Sequence, residues 1–560
     1  MGYEVGEFLI ECANPHPQLF LKLKPNRDRK CVFVAVCHRW NFVDRDRVPY
    51  LAPLVPNLRS MANQVAAIVH RFGREGKPQD SGEIGRFVKY CKAFILHFKP
   101  VLPGDVKDFD AWLETTSYPG PRKKVLREVY ERGGIVSALI MISASFLKDE
   151  GYDKPKMPRG INSYSDLSKT IFGPIFQAID KKTFQQRWFV KGMDVSERPE
   201  LLDQEFGNKP VIETDFTSFE SHHRGAFSKV IWFWMMHMMR GLNLPAYLRR
   251  MLAVAVKGDN RTKFSCVTAE VPQTLMSGAL WTSSSNGVLN LMIMSYLWSR
   301  DKADEPVAQA DLAYTSFRGF IEGDDGITEA FPVDEEIITK LGIDVKLEVK
   351  RNYGCASFCG IVCPLGSRKI LYNPKKFIRN FFWLPTAFAQ AKGKAQDGYI
   401  RAKALSYLYN FSGCPVVAPI CYEVCKRTSG YNFTENLSHH FDSYKWAEIQ
   451  KVIKNPSFAK EEPTITWASR DHMANIFGIT PLQQIQIENC FRAGSFVDLS
   501  DWMMPFDDAH RRMHLFDYEP AKVPWGTPHM PDCIKKIIAA GGMGRPSSKN
   551  ERLIRGKWSV

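Results

Sequence analysis

The chain of 560 residues carries 75 Lys and Arg against 60 Asp and Glu, a formal charge of +15. That surplus suits a polyanionic partner, either nucleic acid or an acidic membrane face, and by itself says nothing about catalysis. With 44% hydrophobic residues the length allows three or four domain-sized units, and 13 Cys, an odd number at irregular spacing, argue for reduced thiols over a disulfide framework.

In chain order, the opening MGYEVGEFLIE has an early Glu and no basic-then-apolar leader, and Gly2 lacks the Ser or Thr at position six that myristoylation needs. Residues 58–72 have helical patterning, 75–82 (EGKPQDSG) read as an exposed loop, and 83–147 are mostly helical with breaks at Lys99-Pro100 and Tyr118-Pro119-Gly120-Pro121. The longest apolar runs, 135–147 and 230–239, fall short of the ~20 residues of a spanning helix. Both are expected to be buried helices, so no transmembrane segment is expected and any membrane association is peripheral. From 211 to 330 short strand-like runs alternate with longer helical ones. Residues 211–214 lead a strand, 227–239 and 289–298 are helical, and 318–321 with 327–331 fit the two arms of a hairpin. Beyond 365 the pattern is mostly helical to about 515, and 541–560 read as a basic tail, either RNA-binding or simply disordered. No repeat and no GxxxxGK[ST] loop is present.

Three segments carry the chemistry. Within 319–328, GFIEGDDGIT, Asp324 and Asp325 stand side by side between glycines. Adjacent carboxylates repel and resist ionising. A plain Asp-Gly hairpin explains them, and so does a cation site, where bound metal relieves the repulsion. Upstream, VIETDFTSFESHH (211–223) puts Asp215 at the end of an apolar strand with Glu220 five residues on. Between the two lies MSGALWTSSSNGVLN (276–290), where Ser277 and Gly278 open a helical stretch and Gly278, Thr282 and Asn286 fall at four-residue steps on one helix face.

In this order and at these separations the three segments resemble the palm of RNA-dependent RNA polymerases of positive-strand RNA viruses, closest to the tombusvirus- and nodavirus-like groups. The resemblance extends to Trp112 with Thr116-Ser117-Tyr118-Pro119 and Arg122-Lys123. It includes Met157-Pro158-Arg159-Gly160-Ile161, and Phe189-Val190-Lys191 through Glu197-Arg198-Pro199, as basic finger strands. It also takes in Leu341-Gly342-Ile343-Asp344-Val345-Lys346, and Ala356-Ser357-Phe358-Cys359-Gly360 as the hairpin that grips the primer end. It covers about residues 110–380.

The resemblance implies an α+β fold, a right-hand polymerase with fingers, a palm of antiparallel sheet flanked by helices, and a mostly helical thumb. The implied division is 1–110 N-terminal extension and part of the fingers, 111–210 fingers, 211–380 palm with a fingers insertion near 240–275, 381–515 thumb, and 516–560 basic tail. It implies RNA-templated RNA synthesis from rNTPs by a two-metal mechanism, with Mg²⁺ or substituting Mn²⁺ on Asp215, Asp324 and Asp325. Glu220, Ser277, Thr282 and Asn286 are implied to read the ribose, with Gly278 also at the nucleotide-binding site. Arg159, Lys191 and Arg198 would meet the triphosphate, and Lys346, with Lys350 as rival, would act as general acid. Template and product RNA are the implied partners, with replication-complex proteins, at membrane-associated sites in a host cytoplasm. The alternatives are a reverse transcriptase and a catalytically inactive RNA-binding scaffold. The Cys355, Cys359, Cys363 series need not converge in a hairpin, and Cys414, Cys421, Cys425 and His439-His440 match no common zinc finger spacing.

Overall fold

The computed structural model describes residues 18–23, 54–56, 58–59, 61–148, 150, 157–381, 393–430, 446, 449–452, 460–493 and 518–520. The 541–560 tail and His439-His440 lie outside them, as does most of 1–60. The architecture is mixed α+β with mainly antiparallel sheets.

The strands that build the two principal sheets are β1 (Phe20–Leu23), β2 (Ser143–Leu147), β3 (Gly160–Ser163), β4 (Val211–Phe216), β5 (Asn260–Lys263), β6 (Val267–Val271), β7 (Gly319–Glu322), β8 (Asp325–Glu329) and β9 (Val345–Lys350). The helices that position the site are α1 (Ser81–Leu96), α2 (Asp166–Phe184), α3 (Arg198–Phe206), α4 (Gly225–Met238), α5 (Ala246–Lys257), α6 (Thr282–Ser299), α7 (Pro306–Ser316), α8 (Glu335–Leu341), α9 (Gly393–Phe411) and α10 (Val417–Arg427).

One sheet runs β1-β6-β5-β2-β3, antiparallel except where β2 meets β5. It joins residues near the N-terminus to the 260–271 segment. The other runs β9-β4-β8-β7 and is antiparallel throughout. With α6 between β4 and β7, and α8 between β8 and β9, this is a split β-α-β-β-α-β unit of ferredoxin-like order.

Side chains alternate across a strand, so the four-stranded sheet has two distinct faces. On one, Ile212, Phe216 and Ile321 join a core with Phe87 and Tyr90 of α1, Trp234 of α4 and Met292 of α6. On the other, Val211, Phe320 and Ile327 pack with Tyr399 and Leu405 of α9 and Cys421 of α10. The second core covers only one end of its face, and the other end carries the acids described below.

Asp80 caps α1 by accepting from the Glu83 amide at 2.8 Å. Glu83 in turn takes the Tyr296 hydroxyl of α6 and faces Arg300 at 3.3 Å, pinning α1 to α6. Helix α8 stops at Gly342, whose φ of +68° is the left-handed cap that glycine adopts freely.

Two expectations need correction. The 135–147 run is not a buried helix. Ile135 is 89% exposed, Ala138–Met141 is a single 3-10 turn, and Ser143–Leu147 is β2. Its Ser-Ala-Ser-Phe-Leu end alternates, which suits a strand between β5 and β3 and not a helix. Nor do Phe189–Lys191 and Glu197–Pro199 form strands. Phe189 makes one parallel bridge to Ile321, Gly192 turns the chain at φ +86°, and Arg198 already begins α3 with Pro199 in its first turn. The 230–239 run does lie largely in α4, with Trp234, Met235 and Met238 fully buried.

Candidate active site

β7 and β8 pair as far as Glu322 with Asp325, which leaves Gly323-Asp324 as a two-residue hairpin turn. Gly323 sits at φ +67° and Asp324 has no positive φ, the pattern of a type II′ turn with glycine first. A single side chain holds this turn from behind. Asn290 of α6, fully buried, donates through Nδ2 to the carbonyls of Gly323 (3.2 Å), Asp324 (3.1 Å) and Asp325 (3.3 Å). The approach needs small neighbours. A Cβ on Gly287 would lie 2.9 Å from Phe189, and one on Gly326 would lie 2.8 Å from the Thr214 hydroxyl.

The strand register assembles the acids. β4 pairs with β8 through Thr214 and Gly326, and continuing by one pair sets Asp215 against Asp325. On its other side Asp215 faces Lys346 of β9. Opposed residues share a face, so Lys346, Asp215, Asp325 and Glu322 form one cross-strand row. The next row on that face is Glu348, Glu213, Ile327 and Phe320. The Asp325 side chain stays open to solvent on one side, but the protein crowded around it, then the charges of Asp324, Glu322, Asp215 and Glu213, push its carboxyl up to about 7. Desolvation raises Asp324 as well; Glu220 adds to it, while Arg159 and Arg71 oppose it.

The surroundings match the expected residues unevenly. Glu220, on the short 3-10 turn Phe219–His222, receives the Arg71 guanidinium at 2.7 Å. Burial alone would raise its carboxyl, but Arg71 outweighs burial and holds it below the usual range. Beside it, burial drives His222 down to about 4 and His223 to about 3, so both are neutral. His223 interacts with Asn286 of α6. Ser277 and Gly278 are not on the helix with Asn286, because α6 begins only at Thr282. Gly278 instead turns at φ +100° against β3, where the Asn162 amide donates to the Ser277 carbonyl at 2.6 Å and a Cβ on Gly278 would lie 2.8 Å from the Asn162 carbonyl oxygen. The Thr282 hydroxyl ties this turn down by donating to the Met276 and Ala279 carbonyls at 2.9 and 3.0 Å.

Of the expected phosphate-binding cations, Lys191 is half-exposed and Arg198 buried, and both face Glu322, at 3.5 and 2.5 Å. Their loop is anchored through Asp194, which accepts from Tyr409 of α9 at 2.6 Å and meets Lys451 at 3.1 Å. Arg159 pairs with Glu150 at 2.5 Å. Lys346 is solvent-exposed and bonds Glu348, which raises its pKa and keeps it charged; Lys350 shares Glu348 and lies 3.9 Å from Glu213. Cys359 and Gly360, both with positive φ, make the tight turn between Phe358 and Ile361, and the Ser357 amide donates to Glu213 at 3.0 Å. That turn therefore rests against the acidic face.

Among the described residues no group of three or more His, Cys, Asp or Glu is gathered closely enough to cage a metal as it stands. The acids are adjacent without converging. Their chemistry nevertheless fits a hard divalent cation, because they offer only oxygen donors and the carboxylates around Asp325 add to burial in raising its carboxyl. Cys414, Cys421 and Cys425 are buried thiols, and burial lifts Cys414 and Cys425 to about 12. No family model matches the sequence, and no curated protein matches it.

The geometry adds residues that motif reading did not assign. Asn290 is one more four-residue step beyond Asn286, and Glu213 is two residues before Asp215 on the same strand face, so both were findable by periodicity. Arg71 and His223 left no such signal.

Asn290→Ala removes the donor behind the turn and leaves three carbonyls to find other partners. The expected cost is about 1–3 kcal/mol of stability, with a loss of about 10²-fold in any activity that needs the turn in register. Chemical denaturation and a rate measurement check both; wild-type values in each would remove Asn290 from this role.

Buried neutral His223 binds protons only in the unfolded chain between pH 6.5 and about 3. Its contribution is therefore complete above pH 6.5 and declines on acidification, whereas the raised Asp325 acts in the opposite direction. The stability advantage of wild type over His223→Asn should shrink by on the order of 3 kcal/mol from pH 7 to pH 4. Paired urea titrations measure it, and a constant difference would mean that His223 is not held neutral.

Proposed function

We propose that the chain is an RNA-directed RNA polymerase of a positive-strand RNA virus, similar to those of the tombusvirus- and nodavirus-like groups. The four-stranded sheet would be the palm of a right hand, with fingers before it and a helical thumb after it. One observation carries the reading. The strand register brings Asp215 opposite Asp325, beside Asp324 in a turn that Asn290 holds from behind.

Asp215 and Asp324 would hold Mg²⁺, or Mn²⁺ in its place, with Asp325 as a secondary ligand or orienter, and the ion would supply positive charge for a primer 3′-hydroxyl and for departing pyrophosphate. The remaining work falls to the chain's own side chains. Glu220, braced by Arg71, presents an acceptor to a ribose hydroxyl, with Asn286 of α6 as its polar counterpart. Ser277, Gly278 and Thr282 belong to the docked turn that leads into that helix and position it. Lys191 offers a point charge to the triphosphate, with Arg159 at the rim. Lys346 stays protonated beside Asp215 and is the proton donor in this reading; it must part from Glu348 to give the proton up.

RNA template and product are the macromolecular partners in this reading, and the site of action is a membrane-associated replication complex in the host cytoplasm. Attachment would be peripheral, since no helix among the described residues is long and apolar enough to cross a membrane.

Template-dependent incorporation with Mg²⁺ or Mn²⁺ tests the reading. The expected result is rNTP incorporation on RNA, lowered by at least about 10²-fold in Asp324→Asn. Incorporation of dNTPs instead would make the chain a reverse transcriptase, and RNA binding without incorporation would make it a scaffold.

Asn286→Ala should weaken the preference for rNTPs over dNTPs by about 10-fold while leaving the melting temperature near wild type. Competition between labelled rNTP and dNTP reads this ratio, and an unchanged ratio would take Asn286 out of ribose recognition.

A further inference from the structure

The two cations best placed to meet a triphosphate already have an anion. Glu322 immediately precedes the turn glycine, and each of its carboxylate oxygens takes one cation. Oε2 accepts from Arg198 Nη2 at 2.5 Å, and Oε1 lies 3.5 Å from Lys191 Nζ. The Cys359 thiol adds a contact to Oε2 at 3.4 Å. Arg198 is 7% exposed, lies over the Phe358 ring at 5.7 Å, and has its Nε buried without a partner. A guanidinium has five N–H donors and favours forked acceptors. One carboxylate oxygen leaves this one underused.

We propose that Glu322 is a resident surrogate for the substrate's phosphates, holding Lys191 and Arg198 until a polyphosphate displaces it. The proposal rests on the polymerase reading for the identity of the ligand as a nucleoside triphosphate. The carboxylate sits in the cross-strand row with Asp325 and Asp215, so the cations are parked beside the acids. Displacement costs the ligand one charge-assisted hydrogen bond and one ion pair. A monophosphate has oxygens enough for both cations but carries less negative charge than a triphosphate, which is therefore the stronger competitor for Lys191 and the Arg198 guanidinium together. Glu322 thereby favours the more highly charged phosphate chains as well as lowering apparent affinity. The anchor at Asp194 fixes the loop between the two cations to α9, so the exchange takes place on a held loop.

The opposing account makes Glu322 only the counter-ion that a buried Arg198 requires. The two accounts predict opposite signs. Glu322→Gln keeps an acceptor for Arg198 and removes the competing charge. Calorimetric titration of the full chain with inorganic tripolyphosphate, in metal-free buffer, should show binding about 3- to 10-fold tighter in Glu322→Gln than in wild type, with a smaller gain for orthophosphate. The KM for rNTP should fall in parallel. Unchanged or weaker tripolyphosphate binding at a wild-type melting temperature overturns the proposal, as does a wild-type chain that binds no tripolyphosphate. Should Glu322→Gln fail to fold, Glu322→Asp keeps the charge on a shorter arm and decides in its place. Tighter binding there supports the exchange, and equal or weaker binding overturns it. A chain that shows the tightening but incorporates no nucleotide would sink the polymerase reading and leave the exchange standing.

Discussion

Everything at this site follows from the register between β4 and β8. Because side chains alternate with a period of two, a slip of one residue would turn Asp215 into the core and bring Thr214 out beside Asp325. The native register instead places two carboxylates opposite one another, where Cβ atoms stand about 4.5–5.5 Å apart, and like charges at that spacing are destabilising. The sheet accepts this repulsion only because other interactions fix the register. Ile212, Phe216 and Ile321 are committed to one core, and Val211, Phe320 and Ile327 to the other. With both faces spoken for at one end of the sheet, the acids at the other end have no freedom to move apart along the strand.

The hairpin turn is held by the same logic from a different direction. Asn290 reaches three successive carbonyls, so the turn cannot twist without breaking several hydrogen bonds together. Its helix is fixed further along by Glu83, Tyr296 and Arg300, which join α6 to α1. Residues from early in the chain also reach the segments that flank the four-stranded sheet. Arg71 meets Glu220, and Arg74 and Lys77 pair with Asp344 at 3.3 and 3.4 Å. The segment before residue 110, which carries no recognisable motif, thus supplies part of the site's electrostatic surround and a large part of its mechanical support.

What the sequence revealed depended on whether a signal was local. The hairpin arms, β4 and α4 were readable because apolar periodicity and glycine placement are written within a few residues. The 135–147 run misled because a continuous apolar stretch has no period that separates strand from buried helix, and here only the neighbouring strands β3 and β5 decide. The Ser277-Gly278 step pattern was arithmetically right and conformationally wrong. Gly278 needs φ +100° to pass the Asn162 backbone, and a helix cannot contain that value. Arg71 was out of reach for another reason: its partner lies 149 residues away, and nothing near either residue announces the pair.

The charge arrangement has a direction that the net charge of +15 conceals. Cations stand at the edge, with Lys191, Arg159 and Arg71 around the turn, while carboxylates hold the centre of the sheet. A polyanion is therefore drawn to the rim and repelled from the middle. It can occupy the centre only if positive charge arrives there with it or before it. The raised carboxyl of Asp325 has the same carboxylate neighbours among its causes, after burial, and a proton relieves both. In the proposed polymerase a hard divalent cation and a polyphosphate would stabilise each other beside these acids, each neutralising the charge that excludes the other. Their binding would then be coupled, and by linkage the coupling would be equal whichever entered first.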